Sequence, residues 1–306
     1  MGKLGGSSLN DATRQYAVEG TPPSTRWEAA WSIRHTHHPA TIHFARPGRT
    51  IPISLTGRAC ALQCAHCNGV YLRHMRTVNE LPDAMQRASS FLVSGGCDAQ
   101  GRVPVLSHLD KLARVQETHR LNWHVGMIDE DTIRRLAPHA DVVSFDVVGS
   151  RDTTRRIYGL DLSLDDYMAT LDALARHVRV VPHITIGLDA GEIIGERDAV
   201  RALAQRQIKR LVFIVLIPTA GTELAGCQPP SPEQVADFFL WTRSALPRCE
   251  LYLGCMRPRG DYRRRLDAFA VRAGLNGIVN PSPTARDLAI ELGLEPIWSD
   301  ECCALS

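Results

Sequence analysis

Three cysteines on one short stretch are the residues of this sequence best suited to chemistry. Cys60, Cys64 and Cys67 have the spacing Cys-x3-Cys-x2-Cys and follow a strand-like segment that ends at Gly57. Three thiolates on one loop can hold three irons of a four-iron cluster while the fourth iron stays open to another ligand. The alternative is a structural zinc site, which needs a fourth ligand and normally two separated cysteine pairs. His66 is the nearest candidate for that fourth ligand, but it is adjacent to Cys67 and badly placed to close a tetrahedron.

This stretch resembles the cluster loop of the radical S-adenosyl-L-methionine (SAM) enzymes. In that family the three cysteines bind a 4Fe-4S cluster, the open iron chelates the amino and carboxylate groups of SAM, and the residue before the last cysteine contacts the adenine. Here that residue is His66, where the family usually has an aromatic. Gly95 and Gly96 match two family glycines whose missing Cβ lets the backbone approach the methionine amino group. The acid that often comes next is replaced by Cys97.

Composition indicates a cytoplasmic enzyme. The 306 residues are 44% apolar, which is enough for a large core in one domain. A formal net charge of +2 indicates no strong field toward nucleic acid or an anionic membrane. No apolar stretch approaches the ~20 residues that span a bilayer, and residues 1–20 lack the apolar core of a secretory signal. The nine cysteines are an odd number with three in one loop, which favours metal ligation over a disulfide framework.

Strand-like and helix-like segments alternate along the chain, and they must position these cysteines. Strands are predicted at residues 51–56, 91–94, 122–128, 141–148, 178–188, 210–217, 249–253 and 277–280. Regular β-α alternation implies a parallel sheet with right-handed crossovers, and eight such units can close into a barrel. We therefore predict an α/β fold with a single (β/α)8 TIM-type barrel of the radical SAM kind over residues 46–293. An N-terminal lead with a short helix (1–45) precedes it, and a cysteine-containing tail (294–306) follows it.

In such barrels the active site lies at the C-terminal ends of the strands, and several unusual residues fall there. Asp146 ends an otherwise apolar strand, where a carboxylate must be paired or functional; we favour a catalytic role over a structural pair with an arginine. Asn122 and His124 are candidates for contact with the ribose or carboxylate of SAM, although a hydrogen-bonded barrel histidine explains His124 equally well. Ile184 lies in a segment that resembles the family's fifth strand, from which only a backbone contact to SAM carries over.

Four further cysteines are candidate ligands of a second iron-sulfur cluster. Cys97 and Cys255 end predicted strands on the catalytic rim, and Cys302 and Cys303 are vicinal thiols in a tail that could fold back toward them. The alternative is that Cys97 and Cys255 are small buried apolar residues and that the tail thiols are exposed. Arg257, two residues after Cys255, is predicted to be either a ligand of this cluster or a clamp for a carboxylate.

Three segments resemble the biotin synthase and lipoyl synthase branch, and look most like the two-protein type of lipoyl synthase. They are Ser-Leu-Thr-Gly before the cluster loop, Gly-x-Tyr-Leu-x-x-Met after it, and Leu-Gly-Cys-Met-Arg-Pro-Arg-Gly at 253–260, within a resemblance that covers residues 45–303. The resemblance implies sulfur insertion into an octanoyl chain on a lysine of a lipoyl carrier protein. A 5′-deoxyadenosyl radical would abstract the hydrogen, and an auxiliary cluster would supply sulfide. It also implies a second radical SAM subunit and an electron donor such as ferredoxin or flavodoxin.

Two other functions stay open. The first is a radical SAM synthase or mutase that acts on a free small molecule, as in biotin or methylornithine formation. Dependence on a protein-bound acyl chain would separate it from a lipoyl synthase. The second, from another class, is an iron-sulfur or zinc protein without catalysis, such as an electron carrier. Failure to cleave SAM would support that interpretation.

Overall fold

Eleven strands form one parallel sheet in the computed structural model, which describes residues 23–306. In chain order the strands are β1 (Thr41–Ala45), β2 (Thr50–Ser54), β3 (Arg76–Thr77), β4 (Ser90–Ser94), β5 (Arg120–His124), β6 (Val142–Asp146), β7 (Val180–Ile186), β8 (Arg210–Val215), β9 (Glu250–Leu253), β10 (Gly277–Val279) and β11 (Glu295–Ser299). Their hydrogen-bonded order is β11-β1-β10-β9-β8-β7-β6-β5-β4-β2-β3. Strands β4 to β10 are therefore neighbours in chain order, as successive right-handed crossovers require.

Helices connect most of these strands. In chain order they are α1 (Ser24–His37), α2 (Leu81–Met85), α3 (Leu109–Gln116), α4 (Glu130–Leu136), α5 (Arg151–Tyr158), α6 (Leu164–Ala175), α7 (Glu196–Ala204), α8 (Pro232–Ala245), α9 (Asp261–Arg272) and α10 (Pro283–Glu291). Four of them start at a serine whose hydroxyl accepts the backbone N–H three residues on: Ser150, Ser163, Ser231 and Ser282. Such caps satisfy N–H groups that the helix leaves unpaired. Between residues 23 and 306, no helix combines the length and the apolar character needed to cross a bilayer.

Buried side chains of the strands separate into two clusters, and the smaller one shows that the sheet curls. The larger cluster packs the sheet against the helices. The smaller one collects side chains from β1 and from β6 to β10 together with residues 303–305. Side chains from six strands on one face of the sheet can all pack with the same three consecutive residues only if that face is concave. The curled sheet therefore has an interior, and the end of the chain reaches into it.

Residues 300–306, called the C-terminal plug below, cross the end of the curled sheet at which the strands begin. Residues at three strand starts hold it: Thr50 Oγ1 accepts from the Cys302 N–H (2.7 Å), Arg120 Nη1 donates to Glu301 (2.9 Å), and Arg210 Nη1 donates to the Cys303 carbonyl oxygen (2.7 Å). These contacts come from β2, β5 and β8, so the plug spans the opening. The N-terminal end of the curled sheet is thereby covered.

All eight predicted strands are present, as β2 and β4 to β10, but the sheet of the described residues has eleven strands and not eight. The described residues add β1, β3 and β11, and β1 lies between β10 and β11. Strand β1 lies near one edge of the sheet, and β2, which pairs with β4, lies near the other edge. Only residues 46–49 separate the two strands in the chain, so this short segment joins the two edges. The helix predicted before the barrel is α1, whereas residues 1–22 of the predicted lead lie outside the described residues.

Candidate iron-sulfur cluster site

The loop of residues 55–69, called the cluster loop below, leaves the C-terminal end of β2 and carries the three predicted ligands. Backbone N–H groups of Cys67 and Asn68 both donate to the Cys64 carbonyl oxygen, at 3.1 and 2.9 Å. This turn brings Cys64 and Cys67 together, and their thiols are hydrogen-bonded to each other. The predicted position at the C-terminal rim of the sheet agrees with the structure.

Two neighbouring segments anchor the cluster loop. The Ala65 N–H donates to the Ile157 carbonyl oxygen near the end of α5 (2.8 Å), and the Ala65 carbonyl oxygen accepts from the Leu224 N–H (3.0 Å). Just beyond the loop, the Tyr71 hydroxyl hydrogen-bonds the Thr219 hydroxyl at 2.8 Å. The loop is therefore fixed from the segments that follow β6 and β8, and its cysteines have defined positions before any ligand binds.

The local electrostatics favour a thiolate on this loop. The hydrogen bond with Cys64 lowers the pKa of the Cys67 thiol, and His66 lowers it further. The thiolate is the form of cysteine that binds metal. His66 also packs its ring edge-on against Tyr158, with 5.2 Å between centroids, and its Nδ1 is buried without a hydrogen-bond partner in the described structure. The predicted contact of His66 with adenine remains a prediction.

The donor set of the cluster loop fits a four-iron cluster better than a single metal ion. Among residues 23–306, no three Cys, His, Asp or Glu side chains converge where one ion would bind. A four-iron cluster does not require its ligands to converge on one point, because each thiolate binds a different iron. Charges on Cys67 and Cys60 both raise the pKa of the Cys64 thiol, so the three thiols are within electrostatic range of one another. Residues 55–69 contain no carboxylate that would compete for the metal.

Gly96 packs directly against the cluster loop. Its N–H donates to Thr56 Oγ1 at 2.7 Å, and a Cβ at this position would lie 1.9 Å from the Ala59 carbonyl oxygen. Backbone atoms meet here, so only glycine permits the contact. A Cβ on Gly95 would meet the Thr56 side chain at 3.3 Å, which is a tighter contact than usual. The two glycines thus position the loop, and their contact with the amino group of SAM stays a prediction.

Cys97 lies beside Cys60. Its N–H donates to the Cys60 sulfur at 3.4 Å, and its carbonyl oxygen accepts from the Ala61 N–H at 2.8 Å. The two cysteines line an open pocket of about 390 Å³, together with Asp98. Burial raises the pKa of the Cys97 thiol to about 12, with a further contribution from the charge of Cys60. Cys97 therefore belongs spatially to the cluster loop.

The four thiols predicted to share a second cluster are divided by the structure. Cys302 and Cys303 lie in the C-terminal plug, at the opposite end of the curled sheet from Cys97, and their thiols are hydrogen-bonded to each other. Cys255, just beyond β9, is accessible to water yet surrounded by protein, as a side chain lining the interior would be; this surrounding raises its pKa, and the charge of Cys302 adds to the effect. Cys255 is therefore within electrostatic range of Cys302, although it follows the C-terminal end of β9 and the plug lies at the opposite end of the sheet.

Three titratable side chains meet inside the curled sheet, two at the C-terminal ends of β5 and β6 and the third in the middle of β7. His124 Nδ1 lies 3.7 Å from Asp146 Oδ2, and its ring lies edge-on to that of His183, with centroids 5.4 Å apart. Burial lowers the pKa of His183 to about 4, so this ring is neutral at neutral pH. Its Nδ1 lies 3.0 Å from the Val181 carbonyl oxygen, which requires the proton on Nδ1 and leaves Nε2 as an acceptor. The structure therefore brings together the predicted residues Asp146 and His124 and adds His183.

Asn122 and Ile184 are placed away from the rim. Asn122, two residues before His124 in β5, faces the same side but lies deeper and is buried. It accepts from the Ser144 hydroxyl at 2.9 Å and directs its amide nitrogen to the Cys302 sulfur at 3.4 Å. Both ends of its amide are engaged, so the predicted SAM contact gains no support. The Ile184 side chain is buried in the larger cluster, and its backbone lies within the β7–β8 ladder rather than at the end of the strand.

Arg257 is neither a cluster ligand nor a carboxylate clamp, contrary to the prediction. Its side chain is fully buried and pairs with the fully buried Asp267, with 2.7 Å between Nε and Oδ1. Its two terminal nitrogens donate to the carbonyl oxygens of Gly254 (2.6 Å) and Val279 (2.9 Å). Every side of the guanidinium is used within the protein. Arg257 therefore joins the end of β9 to α9 and β10.

Glu196, at the start of α7, is a buried carboxylate near the C-terminal end of β7. One of its oxygens accepts from the Gly187 N–H at 2.8 Å, and the other has no hydrogen-bond partner in the described structure. Burial raises the pKa of this carboxyl from 4.5 to about 7. Within the described residues, Glu196 makes no hydrogen bond or ion pair with His124, Asp146 or His183.

The contribution of Glu196 to the free energy of unfolding is expected to fall as pH rises from 4.5 to about 7, whereas the lowered pKa of His183 gives a contribution of opposite sign over part of this range. In that window folded Glu196 keeps a proton that the unfolded chain releases, so the folded state binds more protons. This pKa shift removes up to about 3 kcal/mol from the contribution of Glu196 to the free energy of unfolding, and that contribution levels off at higher pH. Urea unfolding at several pH values isolates this contribution, because the free energy of unfolding of the wild type minus that of Glu196→Gln should fall across the window while the histidine contributions, common to both proteins, cancel. Equal slopes in the two proteins would contradict the assignment.

The fold is shared with solved structures of low sequence identity. Methylornithine synthase (PylB) matches with a TM-score of 0.65 and 14% identity, over 95% of this chain and 94% of that chain. The FeFe-hydrogenase maturase HydG from Carboxydothermus hydrogenoformans matches with a TM-score of 0.66 and 14% identity, over 94% of this chain and 75% of that chain. No family model and no curated protein matches the sequence. At this level of identity the likeness establishes the fold alone.

Proposed function

We propose that this chain is a radical SAM enzyme that holds a 4Fe-4S cluster on Cys60, Cys64 and Cys67. The observation that carries the proposal is the cluster loop itself. It presents three thiols at the C-terminal end of β2, it is anchored from two sides, and one of its thiols is shifted toward the thiolate. When bound, such a cluster supplies the electron that splits SAM into methionine and a 5′-deoxyadenosyl radical.

The residues around the interior suit a reaction that must be shielded from water. The C-terminal plug covers the end of the curled sheet opposite the cluster loop, so ligands enter from the cluster-loop end. Near that end, His124 and Asp146 are partly exposed and offer a hydrogen-bonding pair to a bound substrate. His183, which is neutral, packs against His124 from below and limits the positions that its ring can adopt. Exclusion of water in this way suppresses side reactions of a reactive intermediate.

For the substrate, we propose an octanoyl chain carried on a lysine of a lipoyl carrier protein, with sulfur insertion as the reaction. The inner wall near the plug is apolar, with Val142, Val181 and Val212, which suits an acyl chain. The resemblance of residues 253–260 to the lipoyl synthase branch supports the same reaction. Candidate ligands of the auxiliary cluster are then Cys255, Cys302 and Cys303, without Cys97. A second radical SAM subunit and a ferredoxin or flavodoxin belong to this proposal as partners.

The first test is anaerobic reconstitution with iron and sulfide, followed by metal counting and an assay for 5′-deoxyadenosine. The variant Cys60→Ala/Cys64→Ala/Cys67→Ala should bind about four irons fewer than the wild type and should release no 5′-deoxyadenosine. The control is Cys249→Ala, because Cys249 is buried beside the start of β9 and outside every proposed site. This control should match the wild type.

The same experiment separates the two levels of the proposal. Cleavage of SAM by the triple variant, or iron binding equal to that of the wild type, would overturn the radical SAM assignment. Retention of about four irons by the triple variant would support an auxiliary cluster and therefore sulfur insertion. Complete loss of iron from the triple variant would leave no sulfur donor, and the octanoyl proposal would fail while the radical SAM assignment would stand.

A further inference from the structure

The structure places a fourth thiol next to the three predicted cluster ligands. Cys97 contacts Cys60 through its N–H and shares a pocket with it, although the two residues are far apart in sequence. Four thiols are the usual complement for a fully ligated 4Fe-4S cluster, whereas the cluster loop alone provides three.

The position of Cys97 relative to the cluster loop is rigidly defined. Gly96 packs its backbone against Ala59 so closely that no Cβ fits, and its N–H donates to Thr56. The next residue continues this contact, because the Cys97 carbonyl oxygen accepts from Ala61 at 2.8 Å. Consecutive backbone contacts of this kind hold the Cys97 sulfur near the loop without the cost of ordering a flexible segment.

We propose that Cys97 binds the fourth iron when SAM is absent, and that Cys97 releases this iron when SAM binds. The inference rests on the proposed cluster at Cys60, Cys64 and Cys67. The exchange needs no oxidant or reductant. The Cys97 sulfur leaves with its electron pair and takes up the proton that the ammonium group of SAM gives up, and the amino and carboxylate groups of SAM take the vacated position.

Two consequences distinguish a ligand from a small packing residue. A fully ligated cluster keeps its fourth iron on mild oxidation, whereas a cluster with three protein ligands loses it and becomes a three-iron cluster. A ligand that must leave also weakens the apparent affinity for SAM, because the apparent Kd equals the intrinsic Kd divided by the fraction of protein in which Cys97 is unbound. Cys97→Ala removes the sulfur but keeps the N–H that donates to Cys60, so the variant tests ligation separately from that hydrogen bond.

The experiment compares the reconstituted wild type with Cys97→Ala, Cys97→Ser and the control Cys249→Ala. Each protein is oxidised briefly with ferricyanide in the absence of SAM, and three-iron clusters are quantified by electron paramagnetic resonance. Cys97→Ala should give a several-fold larger three-iron signal than the wild type and the control. In a SAM titration its Kd should be about tenfold lower than that of the wild type. Iron bound elsewhere in the chain gives the same signal in all four proteins, and this signal is measured in the Cys60→Ala/Cys64→Ala/Cys67→Ala variant and subtracted before the comparison.

Equal three-iron signals and equal Kd values in the wild type and Cys97→Ala would overturn the role of Cys97 and leave the cluster assignment intact. Absence of a cluster from the wild type would overturn the proposed function, and the inference with it. Cys97→Ser conserves size and assembles the cluster even where the smaller alanine weakens packing. Because a serine oxygen can still bind iron, although more weakly than a thiolate, Cys97→Ser should lie between the wild type and Cys97→Ala, and a result outside that range would contradict the proposal.

Discussion

Replacing Asp267 with alanine should lower the free energy of unfolding by about 3–5 kcal/mol, because it leaves the charge of Arg257 buried without its partner. Neither side chain of this pair is exposed to water, and the second oxygen of Asp267 also accepts from the Ser282 N–H at the start of α10, at 2.8 Å. The variant therefore loses an ion pair and a cap contact at once. Urea unfolding under anaerobic conditions measures the change.

A matched control is present on the same helix. Asp261, at the exposed start of α9, pairs with the exposed Arg264, and Asp261→Ala should cost less than about 1 kcal/mol. A double variant, Arg257→Met/Asp267→Leu, should recover only part of the stability lost in Asp267→Ala, because it leaves no buried charge but still removes the partners of the Gly254 and Val279 carbonyl oxygens and of the Ser282 N–H. If Asp267→Ala is as stable as Asp261→Ala, the structural role assigned to Arg257 is wrong.

Replacing Gly96 with alanine should prevent assembly of the cluster while most of the sheet stays folded. The new Cβ would lie 1.9 Å from the Ala59 carbonyl oxygen and 2.6 Å from the Cys60 Cα, and both are backbone atoms that cannot rotate away. The loop must move, and Cys60 moves with it. We expect the loss of about four irons per chain after reconstitution.

Alanine substitutions at two other glycines provide the comparison for the iron content of Gly96→Ala. Gly226→Ala is the neutral control, because a Cβ added at Gly226 would point into open space, with no neighbouring side chain or backbone segment within 4 Å. Gly95→Ala should fall between the two, since its Cβ would meet only the side chain of Thr56 closely, at 3.3 Å. Iron content should therefore decrease in the order Gly226→Ala, Gly95→Ala, Gly96→Ala. Full iron content in Gly96→Ala would show that the loop does not need this contact.

The parts of the fold and site that sequence reasoning predicted are those encoded locally. The three loop cysteines, the two glycines and the strand before them lie within short stretches whose spacing carries the signal. The alternation of apolar strands with helices likewise predicted β2 and β4 to β10 at their observed positions. Asp146 stood out because a carboxylate at the end of an apolar strand requires an explanation. The same argument applied to His183, in the apolar run Val-Val-Pro-His-Ile-Thr-Ile, would have found the third member of its group.

The parts that were missed depend on contacts distant in sequence. The short strands β1 and β11 are stabilised mainly by pairing with each other and with β10, so neither has a strong local pattern. Arg257 resembled a functional residue because residue types alone do not show that its side chain meets that of Asp267 on α9. The tail cysteines were expected near the catalytic rim, but the plug directs them to the opposite end. Residue types do not show to which end of the sheet the chain turns after α10.

The C-terminal plug also constrains how this protein is made. Its Cys302 N–H bonds a side chain 252 residues earlier, and Arg120 reaches a residue 185 positions later. Contacts of such long range are slow to form, because the entropy of closing the loop is lost before the contacts can compensate for it. Every strand is synthesised before residues 300–306, so the plug cannot cover the inner face of the sheet until synthesis reaches those residues. Until residues 300–306 are in place this apolar face is exposed to water, which makes the incomplete chain prone to aggregation.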